Sequence, residues 1–489
     1  MNDEKKAPEG DAKTEDSKAA EPCDDLVVTT HAVGDLDYTA TCGRIVLREE
    51  VFEDDKFTGH RPKAEVSVTS YTLDGVDSTR RPVTFAFNGG PGSSSVWLHL
   101  GVFGPRRVVS GDVGAMEPPP YDLVDNDETL LRHSDLVFID PVSTGFSRAV
   151  GGEKAKPYHG FKGDMESVAE VIRLWTTRNN RWMSPKYLAG ESYGGTRAGA
   201  LAEHLQTRYN MYLNGIVLIA PALDFTTFHF SEGNDATFPM FLPTYASIAH
   251  YHGLHPGRSH AEVVDEAREY AAAEFPRVLA LGARLSPEER SRAVAKVAKL
   301  TGLSEEYVDA VNLRVEDVRF FTELLRGRRK VVGRLDSRFT GPDVDYGRER
   351  MSADPFLNAI FGPYAAALNH YLRAELEYKN DLPYEIISRN VHPWSYEDFE
   401  GAHVTVVDKL AAAMRTNPHL RVHVALGYYD GGIPFASVEH SIAHLAIPPE
   451  LYDNVEIKHY PTGHMMYVHE ESRVRQSRDL AAFVTGGQA

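Results

Sequence analysis

The sequence predicts a layered α/β fold, with a mostly parallel central sheet flanked by helices and interrupted by a mainly helical insertion. Three observations lead to this prediction. Short, almost continuously apolar runs end in polar, glycine-rich loops, as buried parallel strands do. Helical patterns lie between these runs, which is the element order of a layered α/β protein. Amphipathic, charged helical patterns then separate the first strand-like runs from the last two.

Composition and charge restrict the class of protein. The chain has 489 residues, of which 42% are hydrophobic, as is usual for a globular protein with a sizeable core. Its 52 basic and 70 acidic residues give a formal net charge of −18. That balance argues against a nucleic acid or an anionic membrane surface as a partner. The sequence contains no apolar run long enough to predict a transmembrane helix.

The N-terminal residues predict a tail and a cellular location. Residues 1–24 mix charges and lack the apolar stretch of a signal peptide, so we expect a disordered tail. A cytoplasmic protein is favoured, and a secreted or periplasmic one is left open if a leader was removed. Free thiols at Cys23 and Cys42 are favoured over a disulfide. The sequence has no metal-type cysteine pair, and we expect no metal and no cofactor.

The first part of the predicted core spans residues 25–225. Residues 25–75 alternate apolar and polar side chains, which predicts antiparallel strands at the edge of the sheet. A helix is predicted over 163–179. The buried parallel strands are predicted in "RPVTFAFNGGPG", "SDLVFIDPVSTGFS", "PKYLAGESYGG" and "NGIVLIAP".

The insertion is predicted over residues 226–370, as a mainly helical cap over the site. Ser286, Pro287 and Glu289 have the spacing of a capping box at a helix start. The second part of the core then spans 371–489. Its strands are predicted in "LRVHVALGYYDGGIP" and "NVEIKHYPTGHMMY".

A serine lies at the predicted strand-to-helix turn in "YLAGESYGGTRAGALAEHL". Gly190, Ser192 and Gly194 fit G-x-S-x-G, the nucleophile elbow, which lifts a serine clear of its strand. A hydroxyl is a weak nucleophile, so such a serine also needs a base. The alternative is an ordinary turn serine between glycines.

A base and an orienting acid are expected later in the chain, each in a loop after a strand. Asp430 and His464 occupy such loops, although Asp430 could also be an ordinary turn acid. His440 and His444 are spaced i, i+4 and could form one face of a metal site, but a solvated or packing role is favoured because no third ligand is near. His459 is expected to pack within its strand.

The same chemistry needs hydrogen-bond donors for a developing oxyanion. The glycine loop "NGGPGSSS" follows a predicted strand and offers bare backbone close to the elbow. Its glycines allow close approach to a substrate. The amides of Gly90 and Tyr193 are the candidate donors, and a simple glycine turn is the alternative.

Five segments together resemble the serine carboxypeptidase family, peptidase family S10, in its bacterial type. They are "FNGGPGSSS" (87–95), "DLVFIDPVSTGFS" (135–147), "GESYGG" (190–195), "GYYDGGIP" (427–434) and "YPTGHMMY" (460–467). The resemblance implies an α/β-hydrolase fold and a triad of Ser192, Asp430 and His464. It also implies an oxyanion hole from Gly90 and Tyr193. Substrate binding is implied for Asn88 and Glu191, which would hold the terminal carboxylate, with Gly89 beside them.

The chain departs from the family pattern at several positions. Ser93 stands where members usually have a disulfide-bonded cysteine, and Tyr428 where the aspartate loop commonly has a first acid. Val102 stands where many members carry a second glutamate, which is thought to share a proton with the first. A lone Glu191 would depend on burial to raise its pKa. Arg106 or Arg107 is an alternative ligand for the carboxylate, although solvation is favoured for each.

The function predicted from these residues is that of a serine carboxypeptidase, with a peptide as its substrate. The alternative is an esterase or an acyltransferase on the same triad, for which the Val102 departure leaves room. A non-catalytic scaffold is disfavoured by the complete set of catalytic motifs. The sequence leaves a monomer and a homodimer equally open.

Overall fold

The computed structural model describes residues 22–113 and 117–486. Residues 1–21 of the predicted tail lie outside the described residues. The strands are β1 (Val27–Val33), β2 (Leu36–Glu53), β3 (Lys56–Leu73), β4 (Val83–Phe87), β5 (Arg106–Val108), β6 (Leu123–Asp125), β7 (Asp135–Ile139), β8 (Arg148–Ala149), β9 (Lys186–Glu191), β10 (Gly215–Ile219), β11 (Val331–Val332), β12 (Thr340–Gly341), β13 (Arg421–Gly427) and β14 (Val455–Tyr460).

The α-helices flank these strands and fill the long connection between β10 and β13. They are α1 (Val96–Leu98), α2 (Phe161–Arg178), α3 (Tyr193–Tyr209), α4 (Thr237–Tyr251), α5 (His260–Ala273), α6 (Phe275–Leu281), α7 (Pro287–Thr301), α8 (Glu305–Ala310), α9 (Asp317–Glu323), α10 (Pro355–His370), α11 (Val407–Thr416), α12 (Phe435–Ala443) and α13 (Glu470–Thr485). Two π-helical turns, His99–Phe103 and Tyr371–Glu375, follow α1 and α10. No helix among the described residues is both long enough and apolar enough to span a bilayer.

One large sheet organises the described chain. Its strand order is β1-β2-β3-β7-β4-β9-β10-β13-β14, and β8 pairs with β3 beside this path. Along this order β7, β4, β9, β10, β13 and β14 are parallel, whereas β1, β2 and β3 form an antiparallel meander at one edge. The mostly parallel sheet flanked by helices confirms the predicted fold class, and the meander occurs where the alternating sequence predicts it.

Burial explains the sequence pattern of the central strands. β4, β7 and β10 are buried along their whole length, because helices cover both faces of the sheet. One face packs against α2, α3 and α11, and the other packs against α10 and α13. The carboxyl ends of the parallel strands meet at one edge, so the loops after β4, β9, β13 and β14 lie close together.

The connection between β10 and β13 is mainly helical. Helices α4 to α9 bury their apolar faces against one another in a cluster of their own. Helix α7 begins with the predicted capping box, in which Ser286 and Glu289 bond reciprocally. Helix α10 behaves differently, since it packs in the cluster that covers the sheet. The division into core and cap, with its boundaries at 225 and 370, stays a prediction.

Candidate active site

The turn between β9 and α3 holds Ser192 in a rare backbone conformation. Its φ is 62° and its ψ is −125°, a region that non-glycine residues seldom occupy. Backbone hydrogen bonds stabilise the turn: the Ser192 amide donates to Ile219 at 3.0 Å, and its carbonyl accepts from Gly195 at 2.9 Å. The side chain is half-buried. The hydroxyl therefore projects from a fixed bend rather than from a helix or strand face.

The glycines around this serine are required by close packing. A Cβ on Gly190 would collide with the carbonyl oxygen of Gly194, and a Cβ on Gly195 would collide with Pro221. A side chain on Gly190 would push the helix away from the strand, and one on Gly195 would push it away from the loop after β10. The small residues of the motif thus let α3 start directly above β9.

Asp430 and His464 meet at the ends of neighbouring strands. Asp430 Oδ2 lies 2.6 Å from His464 Nδ1, and Asp430 Oδ1 accepts the amides of Gly432 and Ile433 at 2.8 and 3.0 Å. Both side chains are buried. Burial alone would lower the imidazole pKa, but the charge and hydrogen bond of Asp430 outweigh it, so the pKa of His464 is raised.

The serine and the imidazole belong to adjacent loops. Tyr467 follows His464 by three residues, and its hydroxyl donates to Glu191, the neighbour of Ser192, at 2.7 Å. In the part of the chain that the structure describes, no hydrogen bond joins the Ser192 hydroxyl to His464. Catalytic hydrogen bonds of this kind often tighten only when substrate is bound. The Asp430–His464 pair is thus formed, and the hydrogen bond from Tyr467 to Glu191 joins the histidine loop to the serine turn.

The glycine loop after β4 lies directly against the elbow. A Cβ on Gly89 would lie 2.6 Å from the amide nitrogen of Gly194 and would collide with that of Tyr193. Gly90 has a φ of +103°, which a glycine adopts without strain. Among the described residues, neither the Gly90 nor the Tyr193 amide has a hydrogen-bond partner. Two unpaired donors at this junction are what an oxyanion would need.

A buried ion pair under the glycine loop was not predicted from the sequence. Arg197 Nη1 donates to the carbonyl oxygen of Asn88 at 2.7 Å, and Arg197 Nε donates to Asp164 at 2.8 Å. Its guanidinium also lies over the Tyr193 ring. A single arginine within the apolar run "GGTRAGALA" was the available signal, because a buried cation needs a buried partner.

Glu191 lies in a buried hydrogen-bonded pocket. The side chain is 3% exposed, and Asn88 Nδ2 donates to its Oε1 at 2.9 Å. Burial raises the pKa of Glu191 to about 7, although His464, Tyr467 and Asn88 each favour the charged form. The structure thus brings Asn88, Gly89 and Glu191 together beside the elbow. The contact of Tyr467 with this pocket was not predicted from the sequence. The only indication there was an aromatic residue three positions after His464.

The departures from the family pattern have structural counterparts. Val102 is 1% exposed within the first π-helical turn. Its side chain is aliphatic, so Glu191 has no second carboxyl from this position. Ser93 Oγ accepts a hydrogen bond from the indole of Trp97 at 3.0 Å. Cys23 and Cys42 are both free thiols, as favoured.

The remaining basic and histidine candidates have other partners. Arg106 is half-buried and forms ion pairs with Asp125 and Glu375. Arg107 lies 3.8 Å from Glu470. The ring centroids of His440 and His444 lie 4.0 Å apart, with the ring planes tilted by 31°. No group of three His, Cys, Asp or Glu within residues 22–113 and 117–486 could hold a metal ion.

The chain returning from the helical connection binds both candidate catalytic loops. We call residues 333–337 the return segment. The carbonyl of Arg334 accepts from Gly431 at 2.9 Å, and that of Leu335 accepts from the His464 amide at 2.7 Å. Ser337 in turn donates to Tyr429 at 3.0 Å. The loops carrying the acid and the base are thus held by one short stretch of backbone.

Comparison with known proteins identifies the family. The family model described as serine carboxypeptidase matches residues 71–454. "Serine carboxypeptidase-like 36" of Arabidopsis thaliana is 31% identical over 151 residues, which are 29% of each chain. "Pheromone-processing carboxypeptidase KEX1" of Yarrowia lipolytica is 30% identical over 143 residues, 29% of this chain and 22% of the relative. The aligned stretches thus span less than a third of these relatives.

A solved structure shares the fold. It is a prohormone-processing carboxypeptidase from Saccharomyces cerevisiae, which has a TM-score of 0.55 and 13% identity. The match covers 92% of this chain and 91% of the other. It agrees with the α/β-hydrolase fold that the sequence motifs imply.

Proposed function

The chain belongs to the serine carboxypeptidase family, and from this premise we propose that it releases C-terminal residues from peptides through an acyl-enzyme on Ser192. One observation carries the proposal. A strained serine turn, a buried Asp430–His464 pair and a buried carboxyl at Glu191 meet at one edge of the sheet. Ser192 and the Asp430–His464 pair suit acyl transfer. The Glu191 carboxyl suits recognition of a substrate's free carboxylate.

The proposed reaction begins with proton transfer from Ser192 to His464. The Asp430 carboxylate accepts a hydrogen bond from the Nδ1–H group of the imidazole, which leaves the unprotonated Nε2 free to act as the base. As Ser192 Oγ bonds to the scissile carbonyl carbon, its proton passes to Nε2. The amides of Gly90 and Tyr193 then stabilise the oxyanion.

The tetrahedral intermediate collapses by breaking the peptide C–N bond. The imidazolium gives its proton to the leaving amine, and the C-terminal amino acid departs. Water then attacks the acyl-enzyme with His464 again acting as base, which frees Ser192 and the shortened peptide. The raised pKa of His464 suits it to hold the proton between these steps.

Recognition of the C-terminal carboxylate is assigned to Asn88 and Glu191, with Gly89 lining the same loop. A neutral Glu191 can donate its proton to the substrate's carboxylate, whereas an ionised one repels it. With a pKa of about 7, Glu191 supplies that proton in acidic and neutral solution and loses it in alkaline solution. Exopeptidase activity should therefore decline on the alkaline side.

A second candidate is an esterase or an acyltransferase that uses the same serine. The observation that favours it is Val102, which leaves Glu191 without a carboxyl partner. If Glu191 alone does not hold a carboxylate, the acyl chemistry remains and the preference for a free C-terminus is lost.

A pair of substrates separates the two candidates. A blocked dipeptide with a free C-terminus and its C-terminal amide would be compared at pH 6, with Ser192→Ala as the inactive control. We expect kcat/KM to be larger for the free acid by about a hundredfold, the size of a charged hydrogen bond that one substrate lacks. Equal rates, or hydrolysis of simple esters alone, would favour the second candidate.

A further inference from the structure

The carboxyl of Glu191 has one hydrogen-bond donor on each oxygen. Asn88 donates to Oε1 at 2.9 Å, and the Tyr467 hydroxyl donates to Oε2 at 2.7 Å. Asn88 is held in turn, because its Oδ1 accepts the amide of Leu98 at 3.1 Å. Tyr467 comes from the loop of His464. Glu191 is therefore held by hydrogen bonds from two separate segments of the chain, and neither donor is charged.

Tyr467 occupies space beside the position of the missing second carboxyl. Its side chain is 4% exposed, and its ring packs against Gly101, where a Cβ would collide with it. The next residue is Val102, the position at which the family resemblance places a second glutamate. The ring thus fits only because residue 101 has no side chain, and the phenol is the polar group that reaches Glu191 from this side.

We propose that Tyr467 is a positioning residue that replaces the second carboxyl as the partner of Glu191, and that its hydrogen bond sets the pH at which a C-terminal carboxylate ceases to be accepted. This inference rests on the proposed carboxypeptidase function. A phenol donates to a carboxylate without sharing a proton with it, so it stabilises the charged form of Glu191. It therefore opposes burial, which favours the neutral form.

Other groups around Glu191 also influence its charge. His464 favours the carboxylate when it is protonated, and Asp430 disfavours it. Tyr364 lies in the same pocket, with its hydroxyl 2.8 Å from where a Gly101 Cβ would stand. In the described chain the Tyr364 hydroxyl makes no hydrogen bond with Glu191. Removing the Tyr467 hydroxyl leaves all of these in place, so its effect can be isolated.

The test is the pH dependence of kcat/KM for a blocked free-acid dipeptide with Tyr467→Phe. Loss of a hydrogen bond to a charged group should raise the pKa of Glu191 by about one to two units. The alkaline decline should move to higher pH by the same amount, mainly through KM. Tyr364→Phe is the matched control, since it removes a buried hydroxyl from the same pocket, and its decline should not move. If the alkaline decline of kcat/KM occurs at the same pH in both variants, the inference is overturned.

Two further measurements keep the inference testable if the phenylalanine variant does not fold or if the proposed function fails. 3-Fluorotyrosine at position 467 preserves the shape and strengthens the donor, so the decline should move to lower pH. An infrared titration of the Glu191 carboxyl, assigned with Glu191→Gln, needs no substrate. If the pKa of the Glu191 carboxyl is the same with tyrosine, phenylalanine or 3-fluorotyrosine at position 467, the inference is overturned. If the native enzyme shows no preference for the free-acid substrate, that result refutes the proposed function but not the inference about Tyr467.

Discussion

Replacing Asp430 by asparagine tests the acid–base pair through the position of a single proton. Asp430 Oδ1 accepts two backbone amides, from Gly432 at 2.8 Å and from Ile433 at 3.0 Å. An asparagine must place its carbonyl oxygen there, because its NH2 group would face two donors. The NH2 group then points at His464, where Oδ2 lies 2.6 Å from Nδ1 in the native protein.

That arrangement forces the imidazole into the unproductive tautomer. Nδ1 must accept from the amide, so the proton moves to Nε2, the nitrogen that should receive the proton of Ser192. We expect kcat to fall by about 10⁴-fold, the effect of this change in a serine protease triad. The shape of the residue is conserved, so the variant should remain folded.

Stopped assays with the free-acid dipeptide would measure the loss, and the rate of labelling of Ser192 by a fluorophosphonate would report the same defect without a peptide. Circular dichroism and the Tm would show that the fold persists. A loss smaller than about tenfold with normal folding would refute the assignment of Asp430, since a wrong tautomer leaves the serine without its base.

Two other predictions concern the pocket of Glu191. With a pKa of about 7, the native enzyme should lose about tenfold in kcat/KM for free-acid substrates per pH unit above neutrality. An ester without a carboxylate should show no such decline, and neither should Glu191→Gln; a decline that survives in Glu191→Gln would contradict the role of this residue. Gly101→Ala should lower the free energy of unfolding by about 1–3 kcal/mol, because its Cβ collides with the ring of Tyr467. Gly327→Ala has open space and is the control for denaturant unfolding; equal stability of the two variants would be evidence against the packing of Tyr467 on Gly101.

The candidate residues near strand ends could be predicted because local patterns mark them. Ser192 lies between a buried strand and a helix, and Asp430 and His464 each follow a strand, so the rule that loops converge at the carboxyl edge brings them together. The positive φ of Ser192 is also indicated by the sequence, through the glycines of the G-x-S-x-G motif. These features depend on short stretches of chain, which a sequence displays directly.

The partners of these residues could not be predicted, because they depend on packing between distant segments. Tyr467 and Glu191 are 276 positions apart, and Arg197 reaches Asn88 from 109 positions away. Neither pairing has a fixed spacing. The residues around Arg106 in the sequence likewise do not indicate Glu375, which the fold places beside it.

The return segment makes the helical connection difficult to exchange. Two carbonyls and one amide of this stretch bind the loops on which Asp430 and His464 lie. A chimaera that swaps the helices for those of another relative must therefore cut before residue 333, or it removes a scaffold from the proposed reaction centre. Mutations within the helices should likewise affect turnover whenever they tilt this backbone.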